Sequence, residues 1–158
     1  CIDIRDVYSS VDWSILFLIF GMLGLGKAME NTGAAELLVN STAGALGQFS
    51  PVVVLAAVYL IATLLTEIVT NNAVAILLTP ITIGIAYSIG VDPRPFVVAV
   101  MFGASASFMT PIGYQTNTYV FGAGGYRFSD FPKVGVPLNL ILWGIAVIFI
   151  PIFWPFYP

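Results

Sequence analysis

Apolar residues occur along this chain in long blocks, separated by short polar interruptions that each carry a local instruction. The first block, Trp13 to Gly26, is closed by Lys27 and Glu30. Extended to Glu30 it predicts a helix of about 27 Å at about 1.5 Å per residue, enough for one span of a bilayer core of about 30 Å. After the turn signal Asn31-Thr32-Gly33, residues 34–47 mix Leu and Val with Asn, Ser and Gly. That mixture predicts a helix lying in the interface or packed against protein.

Behind Pro51, the apolar arm Val52 to Leu65 runs into Thr66-Glu67-Ile68-Val69-Thr70-Asn71-Asn72, and apolar character resumes from Ala73 to Gly90. Two architectures satisfy this pattern. Two full spans joined by a polar loop need about 20 residues each. A re-entrant hairpin needs fewer, because non-helical backbone at membrane depth is tolerated where it lines a cavity, and the first arm has only 14 apolar residues before its polar tip. Asp92-Pro93-Arg94-Pro95 has to turn, since each proline disfavours helix in the residue before it. Beyond it the pattern predicts a helix from Phe96 to Met109, then a break over Thr110 to Thr118 imposed by Pro111 and Gly113. A short half-helix with a polar loop follows over Tyr119 to Phe131, and a last span runs from Val134 to Pro158. Trp143, Trp154 and Tyr157 fit an aromatic belt.

Composition moves the setting from water to lipid. Of 158 residues, 59% are apolar and 8% charged, against roughly 45 to 50% and about 25% in a soluble domain. The absence of histidine and the single cysteine, Cys1, exclude Ser-His and Cys-His nucleophiles, histidine-rich zinc sites and internal disulfides. Glu67 is the only acidic residue flanked on both sides by long apolar segments, so the paired aspartates of an intramembrane protease are missing and no enzyme chemistry is expected. A net charge of -3 with scattered Lys and Arg gives no phosphate-tracking stripe, so nucleic acid is not an expected partner. The chain opens on Cys and a polar stretch instead of a basic and apolar leader; it reads as a piece of a larger protein.

The two polar interruptions, about forty residues apart, offer hydroxyl, amide and freed backbone oxygens. Neutral oxygens with unwound carbonyls suit an alkali cation, and helix N-termini with amide donors suit an anion; the two together are the usual equipment of a carrier's midplane site. A divalent metal would be expected to draw on more carboxylates than Glu67 alone. Ser and Thr in membrane helices often only bond back to the preceding turn, whereas Asn71 and Asn72 side by side are expensive in hydrocarbon without partners. Glu67 reads as a brace for the hairpin, since its charge would repel an anion, and the small residues at 103–106 read as close packing.

The stretch Thr66-Glu67-Ile68-Val69-Thr70-Asn71-Asn72-Ala73, with Pro80 following, resembles the second Ser-Asn-Thr hairpin motif of the divalent anion/sodium symporter family, the sodium-coupled carriers of dicarboxylates, citrate and sulfate. Ser107-Phe108-Met109-Thr110-Pro111-Ile112-Gly113-Tyr114-Gln115-Thr116-Asn117 is similar to the family's unwound helix, Gly125 to Phe131 to the loop after it, and Phe20 to Gly33 to the helix entering the same repeat. The resemblance implies an all-α, polytopic transmembrane fold with a re-entrant helical hairpin and a discontinuous helix. It divides the chain into an entering transmembrane helix and interfacial helix over 1–50, the hairpin and broken helix over 51–132, and a final transmembrane helix over 133–158. By carry-over, sodium is held by Thr66, Thr70, Asn71 and the Gly113 carbonyl, and the anion by Asn71, Asn72, Tyr114, Gln115 and Thr116. Thr70-Asn71-Asn72 stands where the family has Ser-Asn-Thr, and Tyr114-Gln115-Thr116 where its dicarboxylate carriers have a proline-rich turn, so sulfate or another small oxyanion fits as well as a dicarboxylate. The resemblance further implies elevator-type symport, a homodimer of the full-length protein, and a place in the plasma or inner membrane. An arsenite or sodium/proton carrier, and a non-transporting membrane sensor or scaffold, are the rival readings.

Overall fold

A computed structural model describes residues 48–157, together with Trp13, Leu16, Phe17, Phe20, Gly21, Gly24, Ala28, Asn31, Thr32 and Gly33. The helix expected over 34–47 lies outside the described residues. From Pro51 onward the chain forms five helices in the order α1 (Pro51–Thr66), α2 (Asn71–Ser88), α3 (Arg94–Ser105), α4 (Gln115–Gly124) and α5 (Asp130–Phe153). The described residues contain no strand.

The helix limits follow from local chemistry. Pro51 occupies the first turn of α1, where its missing N–H costs nothing. Thr70 caps α2 by accepting the Ala73 N–H at 3.4 Å, so α2 begins at Asn71 and takes both asparagines into its first turn. Pro80 lies inside α2 and removes one ladder bond. Around it, Thr79 donates to the Ala75 carbonyl and Thr82 to the Thr79 carbonyl at 3.0 Å. At the far end, Gly90 takes a positive φ of 71°, and the Val91 N–H reaches back to the Ala86 carbonyl at 3.0 Å. The Asp92-to-Pro95 turn forms as its prolines require: the Asp92 carboxylate accepts the Arg94 N–H at 2.8 Å and pairs with the guanidinium. Those hydrogen bonds to Arg94 hold the Asp92 carboxyl below the usual carboxylate range.

Helix α3 is the centre of the packing. It lies against α1, α2 and α5, and its Phe96, Ala99 and Val100 share a buried cluster with Val54, Leu55, Val58 and Tyr59 of α1 and Ala146 and Ile150 of α5. Small residues set the α1–α3 spacing. A Cβ on Gly103 would fall 2.8 Å from the Tyr59 carbonyl oxygen and 2.9 Å from the Ala62 Cβ, so only glycine permits this approach of the two backbones. Across the bundle, the Trp143 indole N–H of α5 donates to the Ala56 carbonyl of α1 at 3.0 Å.

The outer faces are apolar: Leu64, Leu77, Ile141, Ile148 and Phe153 are all exposed. Among the described residues, two helices, α2 and α5, are long and apolar enough to cross a bilayer. The core helix of a soluble protein would be mostly buried, whereas only 11% of the α5 window is. Helix α1, with 16 residues, reaches about 24 Å and is shorter than the hydrocarbon core. The last helix starts at Asp130, before the apolar run that signals it, because the polar residues of its first turn form an Asp130–Lys133 ion pair at 3.0 Å and need no burial.

Candidate functional site

Helix α3 stops at Ser105, and residues 106–114 are irregular until α4 begins at Gln115. This break starts earlier than the sequence pattern alone places it, and its backbone is satisfied by side chains from elsewhere. Chief among these is Glu67, in the short link between α1 and α2. Its side chain is buried, with 4% exposure. Its two carboxylate oxygens accept the N–H groups of Met109 at 2.9 Å and Thr110 at 2.8 Å. The Thr110 hydroxyl returns a hydrogen bond to the Glu67 carbonyl at 3.0 Å and accepts the Gly113 N–H at 3.0 Å. Hydrogen bonds to a charged acceptor are about twice as strong as neutral ones, so this clamp ties the link 67–70 firmly to the break.

Three further contacts close the joint. The Ser107 hydroxyl donates to the Thr66 carbonyl at 3.3 Å. The Asn117 amide donates to the Ser107 carbonyl at 2.8 Å and the Thr110 carbonyl at 3.1 Å, and the Thr118 hydroxyl donates to the Pro111 carbonyl at 2.8 Å. First-turn side chains of α4 thus supply partners for carbonyls that the break has freed. Gly113 sits in the tightest corner: a Cβ there would lie 2.2 Å from the Ser107 hydroxyl and 3.1 Å from both a Glu67 carboxylate oxygen and the Thr66 carbonyl.

Of the residues carried over for a cation, Thr66 and Asn71 meet through their side chains, and Gly113 adjoins the Thr66 carbonyl. Thr66 is fully buried, with its hydroxyl oxygen 2.6 Å from the Asn71 amide oxygen and 2.8 Å from the Ala104 carbonyl oxygen. A hydroxyl can both donate and accept, so Thr66 links an α2 side chain to an α3 carbonyl. Thr70 is exposed and serves as the α2 cap. Of the anion residues, Asn71 is half-buried while Asn72, Tyr114, Gln115 and Thr116 are exposed. Gln115 and Thr116 do not lie in the irregular turn where the sequence pattern puts them; they form the first turn of α4, with Tyr114 as an N-cap that offers no side-chain hydrogen bond. The first-turn N–H groups of α4 therefore face outward without intrahelical acceptors, and α2 presents a second helix start at Asn71.

Sequence reasoning anticipated Glu67 as a brace, but it did not single out Ser107, Thr110, Asn117 or Thr118 as the residues that hold the break. The signal was their density of hydrogen-bonding groups around Pro111; what was missing was the pairing across some forty residues of sequence.

A family described as citrate transporter matches residues 1–101. The chain is 46% identical over 142 residues to an uncharacterised transporter of Synechocystis, covering 90% of this chain and 23% of the relative. It is 37% identical over 156 residues to an uncharacterised transporter of Escherichia coli, covering 99% and 26%. With sodium/sulfate cotransporter 1 of Chlamydomonas reinhardtii it shares 32% identity over 152 residues, covering 92% and 17%. The chain thus spans about a quarter or less of the length of these relatives.

Proposed function

This chain belongs to the citrate transporter family, and from that premise we propose that, within its full-length protein, it forms one half of the site of a sodium-coupled carrier of divalent anions. The observation that carries the reading is the meeting of the Thr66 hydroxyl with the Asn71 amide and the Ala104 carbonyl, which gathers neutral oxygens from α1, α2 and α3 near the buried Glu67 carboxylate. Neutral oxygens gathered beside a carboxylate make a place for a positive charge. Sodium supplies that charge, with Thr66, Asn71 and the Gly113 carbonyl as neutral ligands and Thr70 completing the set from the α2 start.

The anion follows the cation. Glu67 is acidic, so a bare anion would be repelled; with sodium seated, the local charge is offset and the donors of both helix starts become usable. Asn71 and Asn72 contribute amide N–H groups, and the Tyr114-to-Thr116 stretch contributes the free first turn of α4. An asparagine and a glutamine at these places suit a compact oxyanion with several acceptors, and the sodium/sulfate cotransporter relatives support sulfate over a C4-dicarboxylate. In this reading α1, the link and α2 form a re-entrant hairpin, α3 and α4 are the halves of one discontinuous helix, and the loaded body moves across the bilayer in an elevator-type step against a dimeric scaffold.

Uptake of radiolabelled sulfate and succinate by full-length protein in proteoliposomes, with and without a sodium gradient, tests the proposal. Sodium-dependent sulfate uptake that is lost in Asn71→Ala is the expected result. Uptake indifferent to sodium, or an Asn71→Ala variant with wild-type uptake, overturns it.

A further inference from the structure

Asn139 lies on α5, whose residues run from Asp130 to Phe153, which places it in the interior of an apolar span. It is 6% exposed, yet neither its Nδ2 nor its Oδ1 has a hydrogen-bond partner in the protein. These are the only buried side-chain polar atoms so situated among the described residues. An amide left in this condition costs free energy, more so at membrane depth.

The surroundings say what can reach it. One turn earlier on the same face, Gly135 touches the break: a Cβ there would fall 2.2 Å from the Phe108 carbonyl oxygen and 2.8 Å from the Met109 Cα. Two turns later, Ala146 packs into the cluster shared by α1 and α3. Asn139 therefore sits at the level where α3 ends. There the Ala106 N–H turns to the Gly103 carbonyl, so the Phe102 carbonyl loses its helical donor. Phe102 and Ala106 line a groove of about 470 Å³ with Leu142 and Ala146, and Phe108 and Leu138 line a second groove of about 280 Å³. The two grooves flank Asn139 along α5.

A side chain this buried admits only a small partner. A cation would satisfy Oδ1 and leave Nδ2 without an acceptor, and an anion would do the reverse. Water both donates and accepts, and buried waters characteristically take two to four polar partners. We propose that Asn139 binds a water molecule trapped between α5 and the end of α3, bridging the amide to backbone carbonyls freed where α3 breaks. Asn139 is then a positioning residue: the water, with the Gly135 contact one turn away, fixes the register of α5 against Phe108 and Met109, and Met109 is one of the two donors to Glu67. The hydration of Asn139 does not depend on the transport reading, and its test does not use transport.

Full-length protein carrying 15N-labelled asparagine side chains, reconstituted in liposomes, is measured by water-edited solid-state NMR. The Asn139 side-chain signal is identified by its disappearance in Asn139→Leu, or in Asn139→Ser if the leucine variant does not fold. Polarisation passing from water to that signal, more slowly than to the exposed Asn72 side chain, is the expected result. A signal that receives none, or that shows direct pairing with a protein group, overturns the proposal whether or not the protein transports sulfate.

Discussion

Replacing Glu67 with glutamine exchanges one carboxylate oxygen for an NH2 group and tests the joint between the α1–α2 link and the break. The carboxylate accepts the Met109 N–H at 2.9 Å and the Thr110 N–H at 2.8 Å. Glutamine keeps one acceptor oxygen and turns an NH2 group toward the other N–H. A hydrogen bond to a charged group contributes about 1.5–3 kcal/mol, and a buried donor left unpaired costs about 1–3 kcal/mol. Because the variant loses one bond and weakens the other, undocking of the segment 106–114 becomes easier by about 2 to 4 kcal/mol. At about 1.4 kcal/mol per factor of ten, the docked population falls about 30-fold to several hundredfold relative to the undocked one. Thermal unfolding of full-length Glu67→Gln in detergent reads the structural part, and the sodium dependence of sulfate uptake reads the functional part. Both are expected to shift, unfolding to lower temperature and half-saturation to higher sodium. Glu67→Asp retains the charge but is one methylene short of spanning both donors, and should fall between the two. A glutamine variant with wild-type unfolding temperature and wild-type sodium dependence would refute the bracing role.

Two further outcomes follow from other contacts. Gly113→Ala places a methyl group 2.2 Å from the Ser107 hydroxyl and should abolish sodium-dependent uptake, with partial recovery in the double variant that adds Ser107→Ala; no recovery would mean that the Thr66 and Glu67 contacts decide the clash. The Asp92 carboxyl is held below the usual carboxylate range by Arg94, so its contribution to stability is fully present above its unfolded pKa of about 3.9 and is lost as pH falls through the lower folded value. In acid titrations of unfolding temperature, Asp92→Asn should lower the neutral plateau slightly and flatten the decline below about pH 4 by the same amount, a small one because the pair lies at the surface.

Much of this fold was legible because proline and glycine act locally. Pro51, the Asp92-to-Pro95 turn and the interruption around Pro111 and Gly113 each mark an element limit that the structure also has. The limits moved where a side chain stepped in for a backbone partner. Helix α2 starts at Asn71 and not Ala73 because Thr70 caps it. Helix α3 stops at Ser105 and not Met109 because Glu67, Ser107 and Asn117 satisfy the unwound backbone beyond it. Gln115 and Thr116 read as part of an irregular turn, yet once Gly113 has passed the break nothing prevents them from starting a helix. For the site, the family resemblance pointed to Thr66, Thr70, Asn71 and Gly113; of these, Thr66 and Asn71 touch through their side chains and Gly113 adjoins the Thr66 carbonyl. The bonds from Glu67 to Met109 and Thr110 join residues 42 and 43 positions apart, and no local pattern encodes a pairing at that range. Asn139 likewise reads as one polar residue in an apolar span, and its isolation becomes visible only when its neighbours are in place.

The contact at Gly103 has a mechanical consequence. With so little slack between the backbones of α1 and α3, a displacement of one helix is passed to the other undiminished. The Thr63 hydroxyl, at 3.3 Å from the Gly103 carbonyl, and the Thr66 hydroxyl on the Ala104 carbonyl resist sliding along the shared axis. The link 67–70 hangs from the end of α1, and the break hangs from the end of α3. Two walls fastened to one plank do not part like a lid and its box, so the link and the break keep their spacing whenever α1 and α3 move.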